Sequence, residues 1–153
     1  MDYTIREATI DDVIRLTEMA GEFYEYAIKD KGLKFVPSHF VRYSILLMEI
    51  ETAVVLVAEC DGKLVGSIGG IITPWFMDFS QKILTEQWWW VDPEHRSGSP
   101  ASELLDAFEK WGVDHDIHTV MMISIGSPGE DKVKSNYNKR GFQYVESHFV
   151  KEI

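Results

Sequence analysis

Residues 53–72, AVVLVAECDGKLVGSIGGII, constrain the fold more than any other stretch of the chain. Two apolar runs flank Asp61-Gly62, a residue pair that readily takes the positive φ angles of a two-residue hairpin turn. Such a turn reverses the chain at once, so the runs are expected to pair as neighbouring antiparallel strands. The other elements must then be built around that pair.

Periodicity supplies those elements. Tyr3 to Ala8 alternates like a short strand. Thr9, with Asp12 three residues on, caps a long amphipathic helix in which Val13, Leu16, Ala20, Phe23 and Ala27 recur at three- and four-residue spacing. Pro37 and Ser38 open a second helix, HFVRYSILLMEIE. ILTEQWWWV reads as a strand, 100–113 as a helix, HTVMMISI as a strand, 129–140 as a helix and FQYVESHFVKEI as a closing strand. The order β-α-α-β-β-β-α-β-α-β predicts an α/β (α+β mixed) fold with a mostly antiparallel central sheet of about six strands and about four flanking helices. With 153 residues and no repeat or linker, one domain over 1–153 is expected.

Bulk properties narrow the partners. A net charge of -10 argues against a nucleic-acid or anionic-membrane partner, because both need a basic surface. Cys60 is the only cysteine and cannot close an internal disulfide, so a reducing, cytoplasmic setting is expected. MDYTIREATIDD lacks the basic and apolar regions of a signal peptide, and no apolar run approaches the ~20 residues of a membrane span.

The segment WWWVDPEHRSGSPASELL, 88–105, carries the chemistry. Pro93 cannot continue a strand ladder, so the chain turns there. Ser99 is a good N-cap and Pro100 suits the first helical position; Ala101, Leu104, Leu105, Phe108 and Trp111 then form one apolar stripe. Ser97, Gly98 and Ser99 have no bulk, so a ligand can approach their backbone closely. Free N–H groups at a helix start attract anions, and Arg96 adds a fixed charge.

That segment resembles the pyrophosphate-binding part of the GCN5-related N-acetyltransferases, the GNAT family. There a strand ends near V-x-P-x-x-R, and an Arg/Gln-x-x-Gly-x-Gly/Ala loop opens a helix. VAECDGKLVGSIGG looks like the second and third strands of the family. YNKRGF, Tyr137 to Phe142, is similar to its C-terminal Y-x-k-x-G-F signature. The resemblance covers nearly the whole chain and implies a GNAT-like three-layer fold. It departs at Ser99, where the family has its first glycine, at Pro100, which removes an amide, and at Glu130, where the family often has Asn.

What the resemblance implies is acetyl transfer from acetyl-CoA, as cosubstrate and without a metal, to a primary amine on a small molecule or peptide. Arg96, Ser97, Gly98, Ser99, Ala101 and Ser102 would seat the pyrophosphate, with the amides of Gly98, Ser99, Ala101 and Ser102 donating. Backbone groups near Trp90 and Val91, on a strand that bulges and splays, would pair with the pantetheine arm. Glu86, five residues before Val91, matches the general base, and burial beside tryptophans would raise its pKa. Its bland reading is an ordinary surface charge. Tyr137 matches the general acid toward the sulfur. Members are often dimers, so a homodimer is a further expectation.

Other features carry less. Strand alternation puts Trp88 and Trp90 on one face and Trp89 on the other, as core on both sides. Tyr24 and Tyr26 read as packing residues, and His115-x-x-His118 as a solvated turn. A rival expectation is a GNAT-like domain that has become a binding or structural module, since fold alone does not guarantee turnover.

Overall fold

The computed structural model describes residues 1–126 and 129–153. Its first strand, β1 (Thr4–Glu7), pairs antiparallel with β2 (Ala53–Cys60), and β2 with β3 (Lys63–Trp75). The turn between β2 and β3 forms as expected, with Asp61 and Gly62 at φ of 50° and 74°. β3 continues antiparallel onto β4 (Asp78–Val91), which pairs in parallel with the short β5 (Val120–Met121). The sheet order is therefore β1-β2-β3-β4-β5.

Helices cover both faces. α1 (Val13–Ala27) and α2 (Pro37–Glu49) lie between β1 and β2 in the chain, α3 (Pro100–Asp114) follows β4, and α4 (Glu130–Lys139) follows β5. Thr9 starts α1 as expected: its N–H donates to the Asp12 carboxylate at 2.8 Å across a short 3-10 turn, Ile10–Asp12. Leu16 and Met19 of α1 and Leu47 of α2 pack on Val55, Val57, Trp88 and Trp90. Leu104, Leu105 and Phe108 of α3, with Tyr137 of α4, pack on the opposite face against Leu56, Ile68 and Leu84. Burial on both faces makes β2 almost continuously apolar.

One irregularity positions the site. Gly69 pairs with Trp88 but Gly70 pairs with Glu86, so Gln87 is an extra residue on β4. This β-bulge shifts the side-chain alternation by one place. Below it Leu84 and Glu86 face α3 and α4. Above it Trp89 and Val91 take that face, and Trp88 and Trp90 face α1 and α2. The bulge has room because glycines lie opposite it: a Cβ on Gly69 would meet the Trp88 ring at 2.6 Å, and one on Gly70 the Phe108 ring at 2.4 Å.

The expected closing strand does not form. Among the described residues, 142–153 contain no strand, and Tyr144, Phe149 and Ile153 are exposed. A strand needs a neighbouring ladder, and β5 offers two residues instead of the eight expected. Its chain leaves the sheet because the Ile123 N–H donates to the Glu86 carboxylate, 2.9 Å away, and not to another strand. The adjacent pairs Tyr144-Val145 and Phe149-Val150 also break the two-residue alternation of a half-buried strand. Among the described residues, no helix is long and apolar enough to cross a membrane.

Candidate active site

The site is built where β4 and β5 part. Their pairing is limited to Leu84 with Val120 and Thr85 with Met121. Beyond it β4 runs on for six residues with only β3 beside it. Asp92 N–H donates to Val65 C=O at 2.8 Å, and an antiparallel ladder alternates, so Trp90 and Trp88 turn their backbone groups toward β3. Trp89 and Val91 turn theirs to the open edge. Of the pair expected from the sequence, Val91 lies on that edge, while Trp90 contributes its ring on the α1 side.

Glu86 sits at the root of the parting and is only 5% exposed. Burial raises its pKa to about 7, against the opposing pull of the Ile123 N–H and the Tyr137 hydroxyl. No cation lies within ion-pair distance of it among the described residues. The surface-charge reading of this residue is therefore excluded. Tyr137 reaches the same spot from α4: its hydroxyl donates to Ile123 C=O at 2.9 Å and stands within hydrogen-bonding reach of Glu86. Burial and the neighbouring carboxyl push its pKa far above the ordinary phenol value, so it keeps its proton. Its ring stacks on Trp89, centroids 6.0 Å apart, and abuts Phe142 of the YNKRGF segment.

Two polar groups near this point lack a hydrogen-bond partner among the described residues, the buried Trp89 Nε1 and Ser124 Oγ. Buried polar groups without partners are rare, so these two mark where a water or ligand group would bond. Neither was legible in the sequence. Trp89 reads there as core, and Ser124 matches no motif quoted from the chain.

The loop expected to seat an anion lies at the far end of the open edge. Pro93–His95 form one 3-10 turn, and α3 begins at Pro100. Gly98 N–H is engaged by His95 C=O at 3.1 Å, so it leaves the set of expected free donors. The amides of Ser99, Ala101 and Ser102 have no partner among the described residues. Ser99 Oγ bonds the Glu103 carboxylate and not the backbone, so it leaves those amides open. Ser97, Gly98 and Ser99 line a pocket of about 250 Å³ with Tyr3, whose hydroxyl would stand 2.7 Å from a Cβ on Gly98. A Cβ there would require the Tyr3 hydroxyl to shift.

Arg96 is fixed on three sides. Its Nε donates to Val91 C=O at 2.8 Å, and its guanidinium lies 4.4 Å from the Trp90 ring centroid and 5.0 Å from that of Tyr26. Glu130 forms an ordinary helix pair with Lys134 at 2.6 Å. Tyr24 stacks on Phe35, the packing role expected of it. His115 rests on the Trp111 ring, and no group of three or more His, Cys, Asp or Glu that could hold a metal ion occurs among the described residues.

None of the curated proteins matches this sequence. Among solved structures, an aminoglycoside acetyltransferase from an uncultured soil metagenomic sample shares 17% identity at a TM-score of 0.75, over 100% of this chain and 99% of the other. A predicted acetyltransferase with acetyl-CoA from Clostridium acetobutylicum shares 16% at 0.75, over 99% and 96%. Glucosamine-6-phosphate N-acetyltransferase from Arabidopsis thaliana shares 16% at 0.76, over 99% of both chains. At such identities the likeness shows the fold. The sequence pattern of the Acetyltransferase (GNAT) family matches residues 15–142. With most of the chain matched, the protein belongs to the GNAT acetyltransferase family.

Proposed function

We propose that this protein transfers the acetyl group of acetyl-CoA to a primary amine, with Glu86 as general base and Tyr137 as general acid. The observation that carries this reading is the convergence of a buried carboxyl titrating near pH 7 and a hydroxyl that keeps its proton, at the parting of two strands. Sugar amines, as carried by aminoglycosides and glucosamine-6-phosphate, are the first acceptors to try, because two of the structural neighbours act on them.

The residues present fit the cosubstrate. Ser99, Ala101 and Ser102 amides with Arg96 are donors suited to a pyrophosphate. The outward backbone of Trp89 and Val91 suits an amide-containing arm, and the orphan Trp89 Nε1 and Ser124 Oγ offer further bonds. Acetyl-CoA supplies the activated acyl group. Above pH 7 Glu86 is ionised and accepts a proton from the incoming ammonium, directly or through one water, so that the nitrogen lone pair attacks the carbonyl carbon. Tyr137 gives its proton to the sulfur as the carbon–sulfur bond breaks, and the second proton lost by the attacking nitrogen restores the phenol. The products are an amide and a free thiol. The raised pKa of Glu86 places it where a base works best near neutral pH.

A second reading, a GNAT-like domain that binds CoA weakly or not at all and serves as a binding or structural module, is favoured by the loop: Pro100 lacks an amide and Gly98 has its own engaged. One experiment separates the two. Calorimetric titration with acetyl-CoA and with CoA is followed by thiol release over a panel of sugar amines, polyamines and peptides. Binding with turnover that rises through about pH 7 supports the enzyme. Binding with no turnover on any acceptor favours the module over the enzyme, and no binding at millimolar ligand overturns the enzyme and puts the module first.

A further inference from the structure

We propose that Arg15 and Asp92 are positioning residues for the guanidinium of Arg96, acting through the indole of Trp90; the inference rests on the acetyl-CoA reading above. Arg15 lies on α1 and reaches across the sheet end. Its Nη2 donates to Asp92 Oδ2 at 2.5 Å, and its Nε to Leu64 C=O at 3.3 Å. Asp92 is 6% exposed, and its other oxygen accepts from Trp90 Nε1 at 3.1 Å. The Trp90 ring is thereby clamped in its plane, and it is this ring on which Arg96 lies.

The arrangement has two consequences for Arg96. Its Nε is engaged and it lies against the Trp90 and Tyr26 rings, so Nη1 and Nη2 carry the N–H groups left without a hydrogen-bond partner among the described residues. Its charge is also left uncompensated: Arg6, Arg15 and Arg140 each lie against two or more carboxylates, whereas Arg96 meets none within ion-pair distance among the described residues. Asp92 is only four residues before Arg96 and shares its turn, so an unpaired Asp92 would compete for it. Arg15 removes that competition by supplying the cation that a buried carboxylate requires. A guanidinium held rigid, without a carboxylate partner, beside free helix-start amides is suited to a diphosphate.

The test compares two ligands and one double-mutant cycle on the full chain. Acetyl-CoA and S-acetylpantetheine, which has the same thioester arm and no phosphate, are titrated into wild type, Arg15→Met, Trp90→Phe, Arg96→Ala and Arg15→Met/Arg96→Ala. Loss of one charge-assisted contact corresponds to roughly tenfold in affinity. Arg15→Met and Arg96→Ala are each expected to weaken acetyl-CoA by about that factor and leave S-acetylpantetheine unchanged. The double variant is expected to bind acetyl-CoA no more weakly than Arg96→Ala alone, since both remove one effect. Trp90→Phe keeps an aromatic ring under Arg96 and loses the bond to Asp92, so it carries the same test if Arg15→Met does not fold. Additive losses, or equal losses for both ligands, overturn the proposal while leaving the acetyl-CoA reading intact. A wild type that binds neither ligand overturns both.

Discussion

Glu86 and Asp92 stand six residues apart on one strand and its end, nearly equally buried at 5% and 6% exposure, yet their surroundings oppose each other. Asp92 faces α1, where Arg15 and the Trp90 N–H meet both of its oxygens. Glu86 faces α4, where it meets a backbone N–H and a tyrosine but no cation. A buried carboxylate with a cation is a joint that holds elements together; one without a cation prefers its proton and becomes a base. On the proposed mechanism, the two faces of one sheet divide into a supporting side and a reacting side.

Neutralising each carboxylate should break that comparison most sharply. Glu86→Gln is expected to lower turnover by about 10²–10⁴-fold with acetyl-CoA affinity retained, read from steady-state kinetics and calorimetry. The same variant should gain stability at alkaline pH. The folded protein binds the Glu86 proton more tightly than the unfolded chain, so its contribution is full below about pH 4.5 and is lost as pH rises to about 7. That slope, about 3 kcal/mol in all at 1.36 kcal/mol per pKa unit, should vanish from denaturant melts of Glu86→Gln. A slope that persists in the variant would place the titration elsewhere.

Asp92→Asn is expected to act in the opposite direction. It leaves Arg15 with the exposed Glu18 and Glu22 but without its buried partner, and removing one partner of a buried pair costs about 3–5 kcal/mol. Arg15 is 31% exposed, so about 2 kcal/mol is the expected loss, read as a fall in melting midpoint with no dependence on the Glu86 titration. Equal signs for the two variants would dissolve the division between the faces.

Smaller effects sharpen the geometry. Gly70→Ala drives a Cβ to 2.4 Å from the Phe108 ring, opposite Glu86, and overpacking of this kind costs about 1–3 kcal/mol. Ser67→Ala leaves the buried Trp88 Nε1 without its partner at 3.1 Å, worth about 1 kcal/mol. Ser67→Ala should leave the pH profile of turnover unmoved, because Trp88 lies across the sheet from Glu86. Gly70→Ala should move it, because Phe108 packs on the reacting side.

Much of this was legible in the chain. Asp61-Gly62 set the central hairpin because only positive φ closes a two-residue turn with the twist of its strands. Thr9 and Pro100 marked helix starts through capping chemistry, and the apolar stripe of Leu104, Leu105 and Phe108 named the buried face of α3. Arg96, Tyr137 and Glu86 were singled out from motif and spacing, and Glu86 is buried as the reading of it as a base required. All of these are local: each depends on residues a few positions apart.

Tertiary structure alone decided the rest, because it depends on residues far apart meeting. The resemblance implied a bulge on this strand but not its position; the extra residue falls at Gln87 and moves Glu86 to the face of Trp89 and away from that of Trp88 and Trp90, since strand side chains alternate with a period of two. The pairing of Arg15 with Asp92 spans 77 positions, and that of Glu86 with Ile123 spans 37. The closing strand at 142–153 failed for the same reason. Its own residues favour extension, but a strand exists only where a neighbour's ladder runs beside it, and β5 had already turned toward Glu86.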